Sequence, residues 1–131
     1  MIVVDTSALL SILQEEPDAR AYADAIAEAD PALLSSASLA EAGIVMLNRH
    51  GPKGLGKLYR LVEEAGLQVE SVTAEQARQA VEAYAAYGKG RKSGAGLNYG
   101  DCFSYALAKA TGLPLLFKGS DFEKTDVASA L

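Results

Sequence analysis

The fold of this chain is decided by the stretch IVVDTSALL, which occupies residues 2–10. Its first three residues are apolar and β-branched, without the alternation of a half-exposed strand, so they predict a strand buried on both faces of a parallel sheet. The run ends abruptly on Asp5, and a helical pattern follows. Because ligands of open α/β sheets bind beyond the carboxyl ends of the strands, Asp5 lies where chemistry is expected.

The same stretch also has a purely structural interpretation. Asp5, Thr6 and Ser7 are all residue types preferred at the N-cap of a helix, and the helix that follows needs such a cap. A functional site at this position therefore requires further acidic residues that converge on the same edge of the sheet.

The rest of the chain continues the alternation of strand and helix. Further strands are predicted at residues 33–35, 67–69 and 115–118, and helices at 7–14, 20–29, 38–50, 55–65, 74–87 and 99–111. This order predicts an α/β fold with a mainly parallel central sheet flanked by helices. At 131 residues, the chain is expected to form one domain that spans residues 1–131.

Composition limits the kinds of metal site and compartment. The chain contains one cysteine, Cys102, and one histidine, His50, which excludes a disulfide framework and the usual zinc sites. Any metal ligands are therefore expected to be oxygen atoms. The chain shows neither a signal-like segment nor a run of about 20 apolar residues, so we expect a cytoplasmic protein without a membrane anchor.

Two segments are basic although the net charge of the chain is −5, which argues against a broad basic surface for nucleic acid. Lys89, Arg91 and Lys92 lie in the glycine-rich segment 88–96, here called the basic loop, which we expect to be flexible. The second group consists of Arg49, Lys53, Lys57 and Arg60. No strand precedes either segment as a phosphate-binding loop requires, so no nucleotide-binding motif is predicted.

Four carboxylates follow a predicted strand or open a helix near the carboxyl edge of the sheet: Asp5, Glu41, Asp101 and Asp121. Each also has a local explanation that needs no catalysis. Glu41 matches a capping box with Ser38. Asp101 lies in the first turn of a helix capped by Asn98, where the helix dipole favours negative charge. Asp121 belongs to a Gly-Ser turn.

Together the four acids predict a metal-dependent reaction. Carboxylates crowded into one crevice repel one another unless divalent cations neutralise them. Oxygen ligands without histidine or cysteine suit Mg²⁺, with Mn²⁺ as a substitute, and these ions also bind substrate phosphates. The chemistry that follows is the hydrolysis of a phosphodiester by metal-activated water.

Several segments resemble those of one family. They are VDTSAL at 4–9, Glu41 after the second strand, LNYGDCFSYALA at 97–108, PLLFKGSDF at 114–122 and TDV at 125–127. In content and order they closely resemble the PIN-domain ribonucleases of VapC-type toxins. The resemblance covers essentially the whole chain, and the segment 97–108 carries most of its specificity.

The resemblance implies a Rossmann-like PIN fold and a Mg²⁺-dependent endoribonuclease. Such a protein is the toxin of a toxin–antitoxin pair, is inhibited by a cognate VapB-type antitoxin, and is commonly a homodimer. The resemblance also implies that Asp5 and Asp101 are the principal metal ligands. Glu41 and Asp121 would complete the acidic pocket, with the Thr6 hydroxyl supporting the geometry of water or ligand.

Further predictions concern supporting residues. Asp126 lies close enough in sequence to Asp121 to share or take its role, and Asn98 supports the acidic motif as its cap. The cations of the basic loop, Lys89, Arg91 and Lys92, are candidates for contact with RNA phosphates.

Three alternatives fit the sequence less well. A phosphoacceptor receiver domain would use a lysine such as Lys118, but it would also need a second acid next to Asp5. A haloacid-type phosphatase would need an aspartate at the position of Ser7. A PIN-like module that only binds partners would have no use for an intact set of acids.

Overall fold

The computed structural model describes residues 1–131, in which four strands form one parallel sheet. The elements in chain order are β1 (Ile2–Val4), α1 (Thr6–Leu13), α2 (Ala19–Glu28), β2 (Ala32–Ser35), α3 (Ser36–Glu64), β3 (Gln68–Glu70), α4 (Ala74–Tyr87), α5 (Tyr99–Thr111) and β4 (Leu115–Leu116). None of the helices has the length and hydrophobicity to span a membrane.

The strand order β3-β2-β1-β4 places β1 inside the sheet, as its apolar sequence predicts. The chain winds outward from β1 to β2 and β3, and then crosses to the other side of β1 to form β4. The direction of winding therefore reverses at β1. The crevice beyond the carboxyl end of β1 is the topological switch point, where sheets of this kind bind ligands.

Helices cover both faces of the sheet, because successive strand residues point to opposite faces. Val4 belongs to the hydrophobic core beneath α1, α2 and α3, whereas Val3 belongs to the core beneath α4 and α5. Both valines are fully buried. The predicted α/β architecture is thus confirmed as three layers of helix, sheet and helix.

The helix α3 corrects two expectations. It forms one element where the sequence predicts two helices, although Gly51 (φ 67°, ψ −166°) kinks it at the predicted break. Glycine suits this position because its φ is positive. The N-cap of α3 is Ser35, since β2 runs directly into the helix. Ser38 therefore lies inside the helix, and the predicted capping box with Glu41 does not form.

The other predicted elements differ from the structure mainly at their ends. The helix α5 has the predicted bounds, and Gly112 ends it in the left-handed conformation (φ 71°). The strand β4 stops at Leu116 instead of continuing to residue 118. The shorter strand leaves Lys118 and the following turn free to approach the crevice.

Candidate active site

Asp5 is both the N-cap of α1 and the most firmly oriented carboxylate of the site. It is 2% exposed. Its Oδ2 accepts hydrogen bonds from the backbone N–H of Ser7 at 3.0 Å and from the Ser7 hydroxyl at 2.6 Å. Its Oδ1 accepts one from the Ser104 hydroxyl at 2.5 Å. The cap and the site are therefore compatible, because the capping hydrogen bonds orient the carboxylate at the end of β1.

Two buried serines support this carboxylate, and neither is among the predicted site residues, since Ser38 is predicted only as a helix cap. Ser104 on α5 and Ser38 on α3 are 0% and 1% exposed, and their hydroxyl oxygens lie 3.0 Å apart. The hydrogen bonds among Asp5, Ser104 and Ser38 join three elements at the switch point. A serine three residues after Asp101, on the buried face of an otherwise apolar helix, is the signal that could have identified Ser104.

The helix α5 brings Asp101 to the same crevice. The Asn98 side chain accepts a hydrogen bond from Asp101 N at 2.9 Å, and Asp101 Oδ2 accepts one from Asn98 N at 3.0 Å, which confirms the predicted cap. The pKa of the Asp101 carboxyl is raised to about 7, chiefly by burial and further by the charges of Asp5, Asp121 and Glu41. The hydrogen bond from Asn98 opposes this rise. The other three predicted acids thus all act on Asp101.

Glu41 faces the first turn of α5. A methyl group added at Gly100 would lie 2.6 Å from Glu41 Oε1 and closer still to Oε2, so glycine is required there to leave room for the carboxylate. Burial raises the pKa of Glu41 and the charge of Asp5 adds to the rise, whereas the nearby Thr6 hydroxyl, which donates to the Ser38 carbonyl at 3.3 Å, opposes it. Thr6 is itself buried, and it lies beside Glu41, where a supporting role is predicted.

The structure separates the two candidates for the fourth acid. The charge of Asp121 contributes to the raised pKa of Asp101. Asp126 instead accepts a hydrogen bond from the Tyr105 hydroxyl and forms an ion pair with Lys109 at 3.0 Å. The hydrogen bond from Tyr105 is the main reason that the pKa of Asp126 is lowered. Asp121 is exposed, but its charge reaches Asp101, whereas Asp126 is paired with Tyr105 and Lys109, so Asp121 is the better candidate for the role that the sequence leaves open between them.

The donor set fits a hydrated metal ion better than an ion enclosed by protein ligands. No group of three or more His, Cys, Asp or Glu side chains is arranged to hold a metal ion directly. Mg²⁺ ordinarily binds through one or two carboxylates, keeps several waters and contacts substrate phosphates. Oxygen donors at the mouth of a crevice suit that mode of binding, and they suit Mn²⁺ for the same reason.

Lys118 does not serve Asp5 as the lysine of a receiver domain would. Its ammonium group forms ion pairs with Glu16 and, at 3.1 Å, with Asp18. Only its backbone N–H reaches the site, where it donates to the Ser7 hydroxyl at 2.9 Å. The geometry thus removes the main argument for the receiver-like alternative.

Backbone hydrogen bonds close the basic loop at its base. Lys89 N donates to the carbonyl of Leu97 at 2.9 Å, and Leu97 N donates to the carbonyl of Tyr87 at 2.9 Å. Leu97 is fully buried. The Arg91 guanidinium lies 5.5 Å from the centroid of the Tyr84 ring, a cation–π contact. The three cations of the loop are exposed, so contact with RNA stays a prediction.

Comparison with known proteins identifies the family. A family model described as PIN domain matches residues 2–128. Ribonuclease VapC28 of Mycobacterium tuberculosis is 52% identical over 130 residues, covering 99% of this chain and 98% of that protein. Ribonuclease VapC of Mycolicibacterium smegmatis is 50% identical over 128 residues, 98% of each chain.

A solved structure supports the fold independently. The chain is similar to Mycobacterium tuberculosis VapC20, described as a sarcin–ricin loop cleaving toxin, with a TM-score of 0.79. The two share 19% sequence identity, and the match covers 98% of this chain and 97% of the other. At this identity the likeness concerns the fold, whereas the curated relatives establish the family. The chain therefore belongs to the PIN-domain family, among the VapC-type ribonucleases.

Proposed function

We propose that this chain is a metal-dependent endoribonuclease and the toxin of a VapB–VapC-type toxin–antitoxin pair. The observation that carries the proposal is the Asp101 carboxyl, which is buried at the switch point under the charges of Asp5, Glu41 and Asp121. A carboxyl with a pKa raised to about 7 in a crevice is typical of functional sites. The membership of the VapC-type family supports an RNA substrate.

We assign Mg²⁺ as the cofactor, with Mn²⁺ as a substitute, and Asp5 and Asp101 as its principal protein ligands. A bound divalent cation lowers the pKa of a water molecule and offsets negative charge on the leaving oxygen of a phosphodiester. Asp5 supplies an acceptor whose direction is fixed by Ser7 and Ser104. Glu41, with its raised pKa, is suited to accept the proton of the attacking water.

The partners that we propose are RNA, a VapB-type antitoxin and a second copy of the chain. We propose the cytoplasm as the site of the reaction, because the RNA substrate is found there. The groove between α4 and α5 supports a protein partner. It is lined mainly by hydrophobic residues. Val81 and Tyr99 in this groove are 72% and 79% exposed, and exposed apolar surface of this kind is typical of a site where another protein binds.

The test is cleavage of total cellular RNA by the purified wild type and by Asp101→Asn. Each protein is incubated with Mg²⁺, with Mn²⁺ and with a chelator. We expect discrete fragments from the wild type with either ion, and none from the wild type with chelator or from the variant. The fragment ends then identify the RNA that is cut and the position of the cut.

Mass analysis of the same preparation is the control, because a copurified antitoxin would block the site. A wild type that is free of partner protein, binds Mn²⁺ and still cleaves no RNA would contradict the proposed activity. The alternative of a PIN-like module that only binds partners would then take its place.

A further inference from the structure

The second basic segment of the sequence plays no part in the acidic site. The interval from Ala42 to Val62 contains no acidic residue, and it carries four cations: Arg49, Lys53, Lys57 and Arg60. Since the whole chain has a formal charge of −5, four positive charges in this interval leave −9 on the remainder. Charge in this protein is therefore strongly segregated. We call these four residues the basic patch.

All four side chains of the basic patch are exposed on α3, and none forms an ion pair, since the ion pairs of the chain use Arg20, Lys109 and Lys118. Lys53, Lys57 and Arg60 line one surface concavity of about 570 Å³, together with Pro52 and Gly56. No acidic side chain lines this concavity. The surface is therefore positively charged and open to solvent.

The helix α1 connects the basic patch with the acidic site. Asp5 caps its first turn, and its other end lies against the patch. The Lys57 ammonium donates to the carbonyl of Leu13 at 3.2 Å, and Arg49 donates to the Gln14 side chain at 3.3 Å. The eight residues of α1 span about 12 Å. A strand of a few nucleotides can therefore cross from the acids to the patch.

Contacts that stabilise the fold account for only two of the four cations in the basic patch. A lysine or arginine at the end of a helix interacts favourably with the free carbonyl groups and the helix dipole, which accounts for Lys57 and Arg49. The side chains of Lys53 and Arg60 form no hydrogen bond or ion pair. They lie four and three residues from Lys57 on the same helix, where like charges repel and destabilise the helix slightly. A bound polyanion would offset this repulsion, because each cation would be attracted to the ligand.

We infer that the basic patch is a docking surface for RNA phosphates. It is separate from the acidic site, and it holds the substrate on one side of the bond to be cut. Phosphate contacts of this kind position a nucleic acid and supply affinity without reading its sequence. Tyr59, which is 55% exposed beside Arg60, offers a ring on which a base can stack. This inference rests on the proposed ribonuclease function.

The test compares two double variants that lose the same charge. Lys53→Gln with Arg60→Gln removes the two unpaired cations of the patch. Arg20→Gln with Arg78→Gln removes two exposed arginines from α2 and α4. Both are made in the Asp101→Asn background, and binding of a fluorescein-labelled, mixed-sequence single-stranded RNA is measured by anisotropy in Mg²⁺ over a range of salt concentrations.

We expect the patch variant to bind RNA at least about fivefold more weakly at low salt. The slope of log K against log salt concentration should become less steep by about 1.4, the value for two lost phosphate contacts on a single strand. The control variant should bind like its parent. Thermal unfolding should show the patch variant to be at least as stable as its parent, because repulsion has been removed. Equal affinity and equal salt dependence in the two double variants would overturn the inference.

Cleavage by proteins that keep Asp101 provides a second readout. For the patch variant we expect a higher KM on long RNA with kcat unchanged, and no change on an oligonucleotide too short to reach the patch. An equal loss on both substrates would contradict a separate docking surface. If the patch binds an acidic segment of a partner protein instead, RNA binding is unchanged and partner retention falls. If the wild type neither binds nor cleaves RNA, both the proposed function and this inference are wrong. If the wild type and the patch variant cleave RNA equally well, only the inference about the basic patch is wrong.

Discussion

Hydroxyl groups, as well as carboxylates, determine the geometry of the acidic site at the scale of single residues. Asp5 is nearly inaccessible, and three hydrogen bonds from Ser7 and Ser104 fix the plane of its carboxylate. Ser104 also lies within hydrogen-bond distance of Ser38, so its own rotamer is constrained. A ligand that is held in one orientation before the substrate arrives needs no rearrangement during the reaction.

Ser104→Ala should therefore reduce cleavage without reducing RNA binding. We expect kcat to fall about tenfold and the Mg²⁺ concentration for half-maximal activity to rise, because supporting hydrogen bonds tune metal ligands. Direct titration of Mn²⁺ into the protein should show the same loss of affinity. Ser11→Ala is the matched control, since Ser11 is also fully buried and donates to a carboxylate, Asp18, outside the site. Equal effects of both variants on Mn²⁺ affinity would contradict a positioning role for Ser104.

Gly100→Ala should damage the site through Glu41. The added methyl group collides with the Glu41 carboxylate, so either that side chain or the first turn of α5 must move. We expect at least a tenfold loss of cleavage and a loss of about 1–3 kcal/mol in the free energy of unfolding. Gly43→Ala is the comparison, because a methyl group there meets only leucine side chains at 3.4 and 3.7 Å. Normal cleavage by Gly100→Ala would show that Glu41 does not need its observed position.

At the scale of elements, the N-terminus of α5 combines a helix cap with the position of a proposed metal ligand. Asn98 and Asp101 exchange hydrogen bonds, so the segment that ends the basic loop also orients the acid. The helix dipole favours the ionised form of a carboxylate in this turn, whereas burial and the neighbouring acids favour the protonated form. The raised pKa of Asp101 shows that burial and repulsion prevail.

Asn98→Ala should lower both stability and activity, by about 1 kcal/mol in the free energy of unfolding and by several-fold in cleavage. Asn98→Ser should restore most of both, because a serine hydroxyl can also cap. Thr73→Ala removes the equivalent cap of α4, where the Thr73 hydroxyl accepts from Gln76 N at 3.0 Å. That variant should lose similar stability in urea unfolding and cleave normally. If both variants lost cleavage equally, Asn98 would have only a structural role.

At the scale of the whole molecule, the crowded acids make stability depend on pH and on metal. The pKa of Asp101 is about 7 in the folded protein, above its usual value of 3.8, so the folded state holds a proton that the unfolded state releases. The metal-free protein should therefore become less stable as the pH rises between about 4 and 7. Glu41, whose pKa is also raised, acts in the same direction.

Asp101→Asn should abolish much of this pH dependence. In chelator at about pH 8, we expect the variant to be more stable than the wild type by about 1–2 kcal/mol, since solvent in the crevice screens part of the repulsion. At about pH 4 the difference should largely vanish. Mg²⁺ at about pH 8 should stabilise the wild type and have little effect on the variant. Urea unfolding of both proteins measures all three conditions, and a variant that is less stable at about pH 8 would mean that the cap outweighs the repulsion.

The fold was largely predictable from sequence because its local signals agree. The buried run before Asp5, the helical stripe after Asn98 and the glycine at 112 each specify an element and its end. The error at Ser38 arose where two signals competed, since Ser35 is the last residue of β2 and caps the helix first. A capping motif describes hydrogen bonds that are possible, but the strand before it decides where the helix begins.

The sequence by itself determined the α/β architecture, the family and the four acids, because strand and helix periodicity and the segment 97–108 are local properties of the chain. Only the tertiary structure decided which groups act together. The pairing of Ser104 with Asp5 joins residues 99 positions apart, and Asp126 is drawn toward Tyr105 while Asp121 acts on Asp101. These contacts depend on how α3, α5 and the strand ends pack around β1, and burial and charge repulsion arise only once that packing has brought the groups together.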